Sequence, residues 1–379
     1  EKYGSLPETL SKQSGVAPFI MPKRVAETDP FKQISESVGS GPFMFKADEW
    51  KPGDRVVYVK NPNYKPRPEP ASGLAGGKVA LVDRIEMLWI PDPQTQVNAL
   101  LSGEIDMIES LTHDLLPLVE KDPKIRIIKS SGAFQYTFRP NWLIKPFDNP
   151  KVRQAAMIAL SQGDFLKASV GDTRYYASCK ALFTCGSPLA SEAGMADVLN
   201  GDSAKAAALL KEAGYDGTPV VILQPADLPV LTNLAPVVKS QLEKAGFKVD
   251  VQAMDWQTMI GRVPKKGPVS EGGWNAYLTA WAQVDILDPL MTPYLAATCD
   301  KARAGWPCDE TMEKLRDAYV QATTPEEKKK AAEEVQRHFV AIVTHVHLGE
   351  WFSVSAVRSN IGTMPVPPPV TVFWGMTKK

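Results

Sequence analysis

Val38-Gly-Ser-Gly-Pro-Phe43 opens, and Leu101-Ser-Gly-Glu-Ile-Asp106 closes, the stretch whose reading decides the fold. After the glycine-rich turn, Arg55-Val-Val-Tyr-Val-Lys60 is a β-rich run, closed by Asn61-Pro-Asn-Tyr64, where proline ends a strand and asparagine favours a turn. Val82 to Ile90 alternates apolar and polar residues as a half-buried strand does, and Pro91-Asp-Pro93 stops it just ahead of a helical pattern from Gln94 to Leu101. Gly103 then predicts the helix C-terminus, and Glu104 to Ile108 predicts a return to a strand. None of these residues is a reagent; taken singly, each glycine and proline is turn geometry.

Taken together, Gly39, Gly41, Pro42, Phe43, Trp50, Pro52, Gly53, Asn61, Pro62, Tyr64, Asp83, Ile85, Ile90, Pro91, Asp92, Ala99, Leu100 and Ser102 to Asp106 follow one ordered pattern. That pattern resembles the signature of the periplasmic solute-binding proteins that serve peptide and nickel ABC importers, the dipeptide and oligopeptide class. Pro146-Phe147 with Lys151-Val-Arg-Gln-Ala155, and Ala204 to Tyr215, resemble further elements of the same family in the expected order. The resemblance implies an α/β, two-lobed fold of the periplasmic binding protein type (type II, cluster C) with a hinge. Family members carry a much longer segment before the glycine-rich turn than the 37 residues found here. We therefore expect a chain that begins inside the mature protein and an incomplete first lobe. The expected division is 1–37 as the remnant of an N-terminal subdomain, 38–140 plus 350–379 as lobe I, and 141–349 as lobe II.

Bulk properties agree with this outline. A chain of 379 residues exceeds the size at which one core keeps growing. Lys plus Arg and Asp plus Glu number 43 each, which removes the electrostatic case for nucleic acid or an anionic membrane as partner. Apolar runs such as Phe339 to Val343 are too short to span a bilayer. The four cysteines fall in two close pairs, Cys179 with Cys185 and Cys299 with Cys308. Two local disulfides are the favoured reading, each contributing roughly 2 to 3 kcal/mol on the chain-entropy account. Free buried thiols are the alternative, and neither pair has the tight C-x-x-C spacing of a zinc site. Disulfides point to an oxidising compartment, which agrees with the periplasm that the resemblance implies.

Further along, Lys124 to Lys129 and Phe134 to Phe138 read as strands, and Arg139 to Phe147, with two prolines, as the crossing between lobes. Asp148-Asn-Pro opens a capped helix, and Thr324-Pro-Glu-Glu327 opens another with acids at the positive end of its dipole. Leu231 to Ala245 predicts a helix stopped by Gly246, followed by a strand over Phe247 to Gln252. The tail from Ile361 to Trp374 looks like the family's segment returning to the first lobe.

No nucleophile elbow, zincin helix, phosphate-binding loop or dinucleotide fingerprint occurs. His345 and His347 share a face of one short strand and are half of a metal site at best, so neither metal nor cofactor is expected. The cluster that attracts attention is Trp274, Tyr277, Trp281, Asp285 and Asp288. In the resembled family a strand ending in tryptophan, followed by an acid and a proline, places an aromatic wall and a carboxylate at the cleft, where the acid receives the ligand's ammonium group. Trp274, Tyr277, Trp281 and Asp285 are the ligand-binding candidates on that resemblance, with one extra residue between Trp281 and Pro289 relative to the usual pattern. The plain alternative is that Asp288 caps a turn and Asp285 is solvated. The expected function is the extracytoplasmic binding component of an ABC importer for peptides or a related small solute, a monomer partnered by a membrane permease. A hydrolase using Asp285 and Asp288 is the alternative.

Overall fold

The computed structural model describes residue 10 and residues 20–29, 32, 34–364 and 370–379. Expectations that fall on most of the 1–37 segment and on Pro365 to Pro369 lie outside the described residues.

Twelve strands are present among the described residues. In chain order they are β1 (Phe43–Phe45), β2 (Arg55–Lys60), β3 (Arg84–Leu88), β4 (Met107–Ile108), β5 (Ile125–Lys129) and β6 (Phe134–Pro140). There follow β7 (Tyr176–Ala177), β8 (Val220–Pro225), β9 (Val249–Met254), β10 (Ala276–Ala282), β11 (Val346–Trp351) and β12 (Val354–Arg358). The longer helices are α1 (Pro93–Ser102), α2 (Pro150–Ala159), α3 (Gln162–Ser169), α4 (Ser203–Glu212), α5 (Leu234–Lys244), α6 (Trp256–Arg262), α7 (Glu310–Gln321) and α8 (Pro325–Ile342).

The chain divides into two units, one running up to Ser131 and resuming at Ser353, the other running from Gly132 to Phe352. The first crossing therefore precedes β6, whereas the two prolines of Arg139 to Phe147 had suggested that it follows. The reason lies in pairing: β6 is hydrogen-bonded on both sides, to β11 and to β10, so it belongs to the second unit's sheet. Pro140 is tolerated because it is the last residue of that strand, where a missing N–H costs least.

In the first unit, β1, β2 and β3 form one antiparallel sheet, and β4, β12 and β5 another, with β12 in the middle. Asp92 caps α1 by accepting from Thr95 N at 2.7 Å, and Gly103, at φ 86°, ends it with its N–H on Ala99 O and Leu100 O. A side chain at that left-handed position would be strained, which is why the glycine is a stop signal. The alternation of Val82 to Ile90 does make a strand, but not a half-buried one: among the described residues β3 pairs only with β2, and Trp89 just beyond it is 60% exposed.

The second unit is built on a six-stranded mixed sheet, β7-β11-β6-β10-β8-β9. β8 is buried along its whole length, as expected for a strand in the parallel part of a sheet with covered faces. α5 carries the chain from β8 to the parallel β9; the helical pattern of Leu231 to Ala245 resolves into a short turn at Pro229–Thr232 and α5 proper. Asn149 caps α2, accepting from Lys151 N at 2.9 Å. At α8 the capping box is complete, with Glu327 N donating to Thr324 Oγ1 at 3.2 Å and Thr324 N to Glu327 Oε2 at 3.1 Å. Both expected disulfides are formed, Cys179–Cys185 and Cys299–Cys308.

Candidate functional site

β10 lies between β6 and β8, and its last residues deliver Trp281 to the start of a single 3₁₀ turn, Gln283–Asp285. Ile286 N closes that turn on Gln283 O at 3.0 Å. The aromatic side chains around β10 form a graded stack. Trp274 is fully buried, its indole N–H donating to Val263 O at 3.0 Å, and its ring meets Tyr277 edge to face at 5.0 Å between centroids. Tyr277 and Tyr294 share a hydroxyl hydrogen bond of 2.6 Å. Tyr294 in turn takes Trp281 edge-on at 5.2 Å. Such edge-to-face pairs contribute about 0.5 to 1.5 kcal/mol beyond the area they bury. Trp281 is the half-buried outer member of the stack, and the exposed Arg303 places its guanidinium 5.2 Å from the centre of that indole. Nothing in the sequence around Arg303 announces this contact; it arises because the loop closed by Cys299–Cys308 returns the chain to β10.

The four sequence candidates thus occupy one structure but different depths. Trp274 and Tyr277 are core, Trp281 is half-buried, and Asp285 is the partly exposed last residue of the turn. Burial pushes the Tyr277 and Tyr294 hydroxyls above the ordinary tyrosine range, so both stay neutral. Asp288 is a turn cap: Oδ1 accepts from Leu290 N at 2.8 Å and Met291 N at 2.7 Å, and its carbonyl from Thr292 Oγ1 at 2.7 Å. An oxygen engaged by two backbone amides is poorly placed to activate water, and the hydrolase alternative finds no support.

The stack is braced from below by Arg139, a fully buried guanidinium on β6. It donates to Ala304 O (2.9 Å), Tyr294 O (3.0 Å), Thr344 O (2.6 Å) and Arg303 O (3.2 Å), and lies 4.4 Å from the centre of the Tyr294 ring. Burial lowers its pKa. Gly305, at φ 102°, is required here, since a β-carbon would stand 2.5 Å from Arg139 Nε.

His345 and His347 are buried and both lie near the Phe339 ring, with centroid distances of 4.9 and 6.0 Å. His345 Nδ1 pairs with Thr344 Oγ1 at 3.0 Å, and His347 Nε2 with Lys180 O at 3.0 Å. Among the described residues the only group with metal-ligand proximity is Cys179, Cys185 and Glu350, and its two sulfurs are bonded to each other. A separate cavity of about 360 Å³, lined by Ser161, Ser178, Lys180, Glu192 and Asn200 among others, contains no residue of β10.

Glu350 is 3% exposed and accepts from Cys185 N at 3.2 Å; burial raises its carboxyl to about 7 against the pull of that amide. Between about pH 4.5 and 7 the folded chain keeps a proton that the unfolded chain has released, so this residue's contribution is full below that window and is lost as pH rises through it. His347 acts oppositely: burial holds its ring at about 4, so stability is lost as pH falls from about 6.5 towards 4. Glu350→Gln should therefore remove the alkaline loss alone, gaining on the order of 2 kcal/mol over wild type between pH 5 and 8 in denaturant titrations. A wild-type-to-variant difference that does not change with pH contradicts this.

Residues 3–303 match the family described as "Bacterial extracellular solute-binding proteins, family 5 Middle". The chain is similar to "Probable peptide ABC transporter periplasmic-binding protein y4tO" of Sinorhizobium fredii, 34% identical over 384 residues that cover 100% of this chain and 71% of that protein. It is also similar to the glutathione-binding protein GsiB of Pectobacterium atrosepticum, 28% identical over 296 residues, 76% of this chain and 52% of the relative. The chain thus spans between about half and seven tenths of these relatives' length. In fold it resembles the periplasmic binding protein DppA of Helicobacter pylori in complex with the peptide STSA, with a TM-score of 0.72 at 22% identity, covering 90% of this chain and 63% of that one. No helix among the described residues is long and apolar enough to cross a membrane.

Proposed function

Because the chain belongs to the bacterial extracellular solute-binding proteins of family 5, we propose that it binds a short peptide or a related small solute in the periplasm and delivers it to the permease of an ABC importer. The observation that carries this reading is the end of β10: an indole face, Trp281, with a guanidinium above it and a carboxylate, Asp285, on the adjoining turn. Those groups suit a zwitterion. Trp281 would pack against the peptide, Asp285 would receive its ammonium group and Arg303 would attract a carboxylate, while Trp274 and Tyr277 back the wall. The names of the relatives, one for peptide transport and one for glutathione, support the same ligand class. The protein acts as a monomer and a binder, with no turnover, and signals occupancy by closure of two lobes; a ligand drives closure only by as much as it prefers the closed state.

Calorimetric titration with a synthetic library of di- to tetrapeptides tests the reading. A charge-assisted bond contributes about 1.5 to 3 kcal/mol, so Asp285→Asn should weaken the best peptide about 10- to 100-fold, and N-acetylation should weaken wild type by a similar factor while hardly affecting the variant. Peptides recovered intact agree with a binder. Equal affinity of wild type and variant for free and acetylated peptides would remove Asp285 from the site, and no binding across the library would remove the peptide reading.

A further inference from the structure

The disulfide loop Cys179–Cys185 is held by an unusual number of side chains. Cys179 N and O are bonded to Gln162 of α3 at 2.8 and 2.7 Å, Lys180 O to His347 Nε2 at 3.0 Å, Leu182 N to Gln336 Oε1 of α8 at 3.0 Å, and Cys185 N to Glu350 Oε1 of β11 at 3.2 Å. Within it Thr184 is fixed at φ 64°, a conformation that non-glycine residues keep only when their surroundings impose it. A loop anchored by four side chains from α3, α8 and β11 and closed by a covalent bond is rigid. It presents one further group, the Thr184 hydroxyl, and the side chain that takes it up is Gln283, the first residue of the turn that ends in Asp285.

Gln283 is fully engaged. Its Nε2 donates to Thr184 Oγ1 at 3.1 Å, its Oε1 accepts from Ala133 N at 3.3 Å, and its backbone N donates to Ala133 O at 2.8 Å. Its carbonyl is the one that closes the turn on Ile286 N. An exposed glutamine would sample several rotamers; here both ends of the amide are held, one by the disulfide loop and one by the residue just ahead of β6. Displacing the amide displaces the turn, because Gln283 is the residue on which the turn is built.

We propose that Gln283 is the positioning residue of the binding turn, held in register by the disulfide loop through Thr184, and that it sets where Asp285 meets the ligand. The proposal rests on the binding reading given above, but its first test needs no ligand.

The test uses wild type, Gln283→Leu, Thr184→Val and Gln283→Glu, the last of which keeps an acceptor for Ala133 N and can accept a hydrogen bond from the Thr184 hydroxyl. Amide hydrogen exchange at Ile286 is read beside the amides of β10. Loss of a net hydrogen bond predicts about five- to tenfold faster exchange at Ile286 in the leucine and valine variants, unchanged exchange in β10, and near wild-type behaviour for glutamate. Affinity for the tightest peptide of the di- to tetrapeptide library should fall by about the same factor in the first two variants and recover in the third. Unchanged Ile286 exchange overturns the proposal, as does acceleration spread evenly through β10, which marks general loosening. Faster Ile286 exchange with undiminished peptide affinity also overturns it. If wild type binds no library peptide while Ile286 exchange responds as stated, the clamp stands and the peptide reading falls.

Discussion

Arg139→Met is expected to lower the stability of the second unit by about 3 to 5 kcal/mol, a fall of roughly 10 °C in its melting temperature. The guanidinium serves carbonyls at Tyr294, Arg303, Ala304 and Thr344, which lie on three separate stretches of chain. Methionine fills much of the volume but withdraws this donor: Arg303 O keeps Trp306 N at 3.0 Å, whereas the Tyr294, Ala304 and Thr344 oxygens lose the guanidinium, and each orphaned buried group costs about 1 to 3 kcal/mol. Removing a buried cation that has no carboxylate among these partners offsets part of this, because the cost of taking the charge out of water is no longer incurred. The oxygens outnumber the charge, so the net effect remains strongly destabilising. Lysine should not rescue: its compact ammonium has three donors on a flexible stem and cannot span the reach of a planar fork. Differential scanning calorimetry with both variants decides the matter, and an Arg139→Met protein within 1 kcal/mol of wild type, on the order of one ordinary hydrogen bond, would show that the carbonyls find other donors.

Trp274→Ala is the second large effect, about 3 to 5 kcal/mol. The indole is fully buried among Val221, Leu223, Met259, Tyr277, Tyr294 and Trp306, and alanine leaves a cavity there as well as an unpaired Val263 carbonyl. Trp274→Phe keeps most of the packing and loses only the hydrogen bond, so about 1 to 2 kcal/mol is expected. The two variants also separate support from contact. If Trp274 backs the wall, Trp274→Phe binds peptide with near wild-type affinity at temperatures where it is folded, whereas Trp281→Ala loses affinity without a comparable loss of stability. The reverse pattern, read by calorimetry on the same preparations, would make Trp274 a ligand contact.

How much of this was legible in the sequence depends on how local each feature is. The helix starts at Asn149 and Thr324, the stop at Gly103 and both disulfides are set by neighbours in the chain, and their residues announced them. The ordered glycine, proline and acid positions from Gly39 to Asp106 identified the family for a similar reason, since turn geometry tolerates few substitutes. Strand order is not local: that β6 lies between β10 and β11 follows from pairing residues that are remote in sequence, and the prolines near Arg139 pointed the other way. The role of Arg139 was hidden because its partners are backbone oxygens, which leave no mark in side-chain identity. Arg303 was hidden because a loop brings it to Trp281. Asp288, by contrast, behaves as its position before Pro289 suggested, a cap for the turn that follows.

The placement of β12 has a consequence for the order in which the two units can fold as the chain emerges from its N-terminal side. Gly132–Phe352 is one continuous run, so every strand of its six-stranded sheet exists once Trp351 has been made. The sheet β4-β12-β5 instead lacks its middle strand until residues 354–358 emerge, although its two outer strands were synthesised first. For a chain delivered vectorially, in which early segments ordinarily fold early, the later unit is the one able to finish first, and the earlier one waits with two unpaired edges for a strand that follows the whole of the other unit.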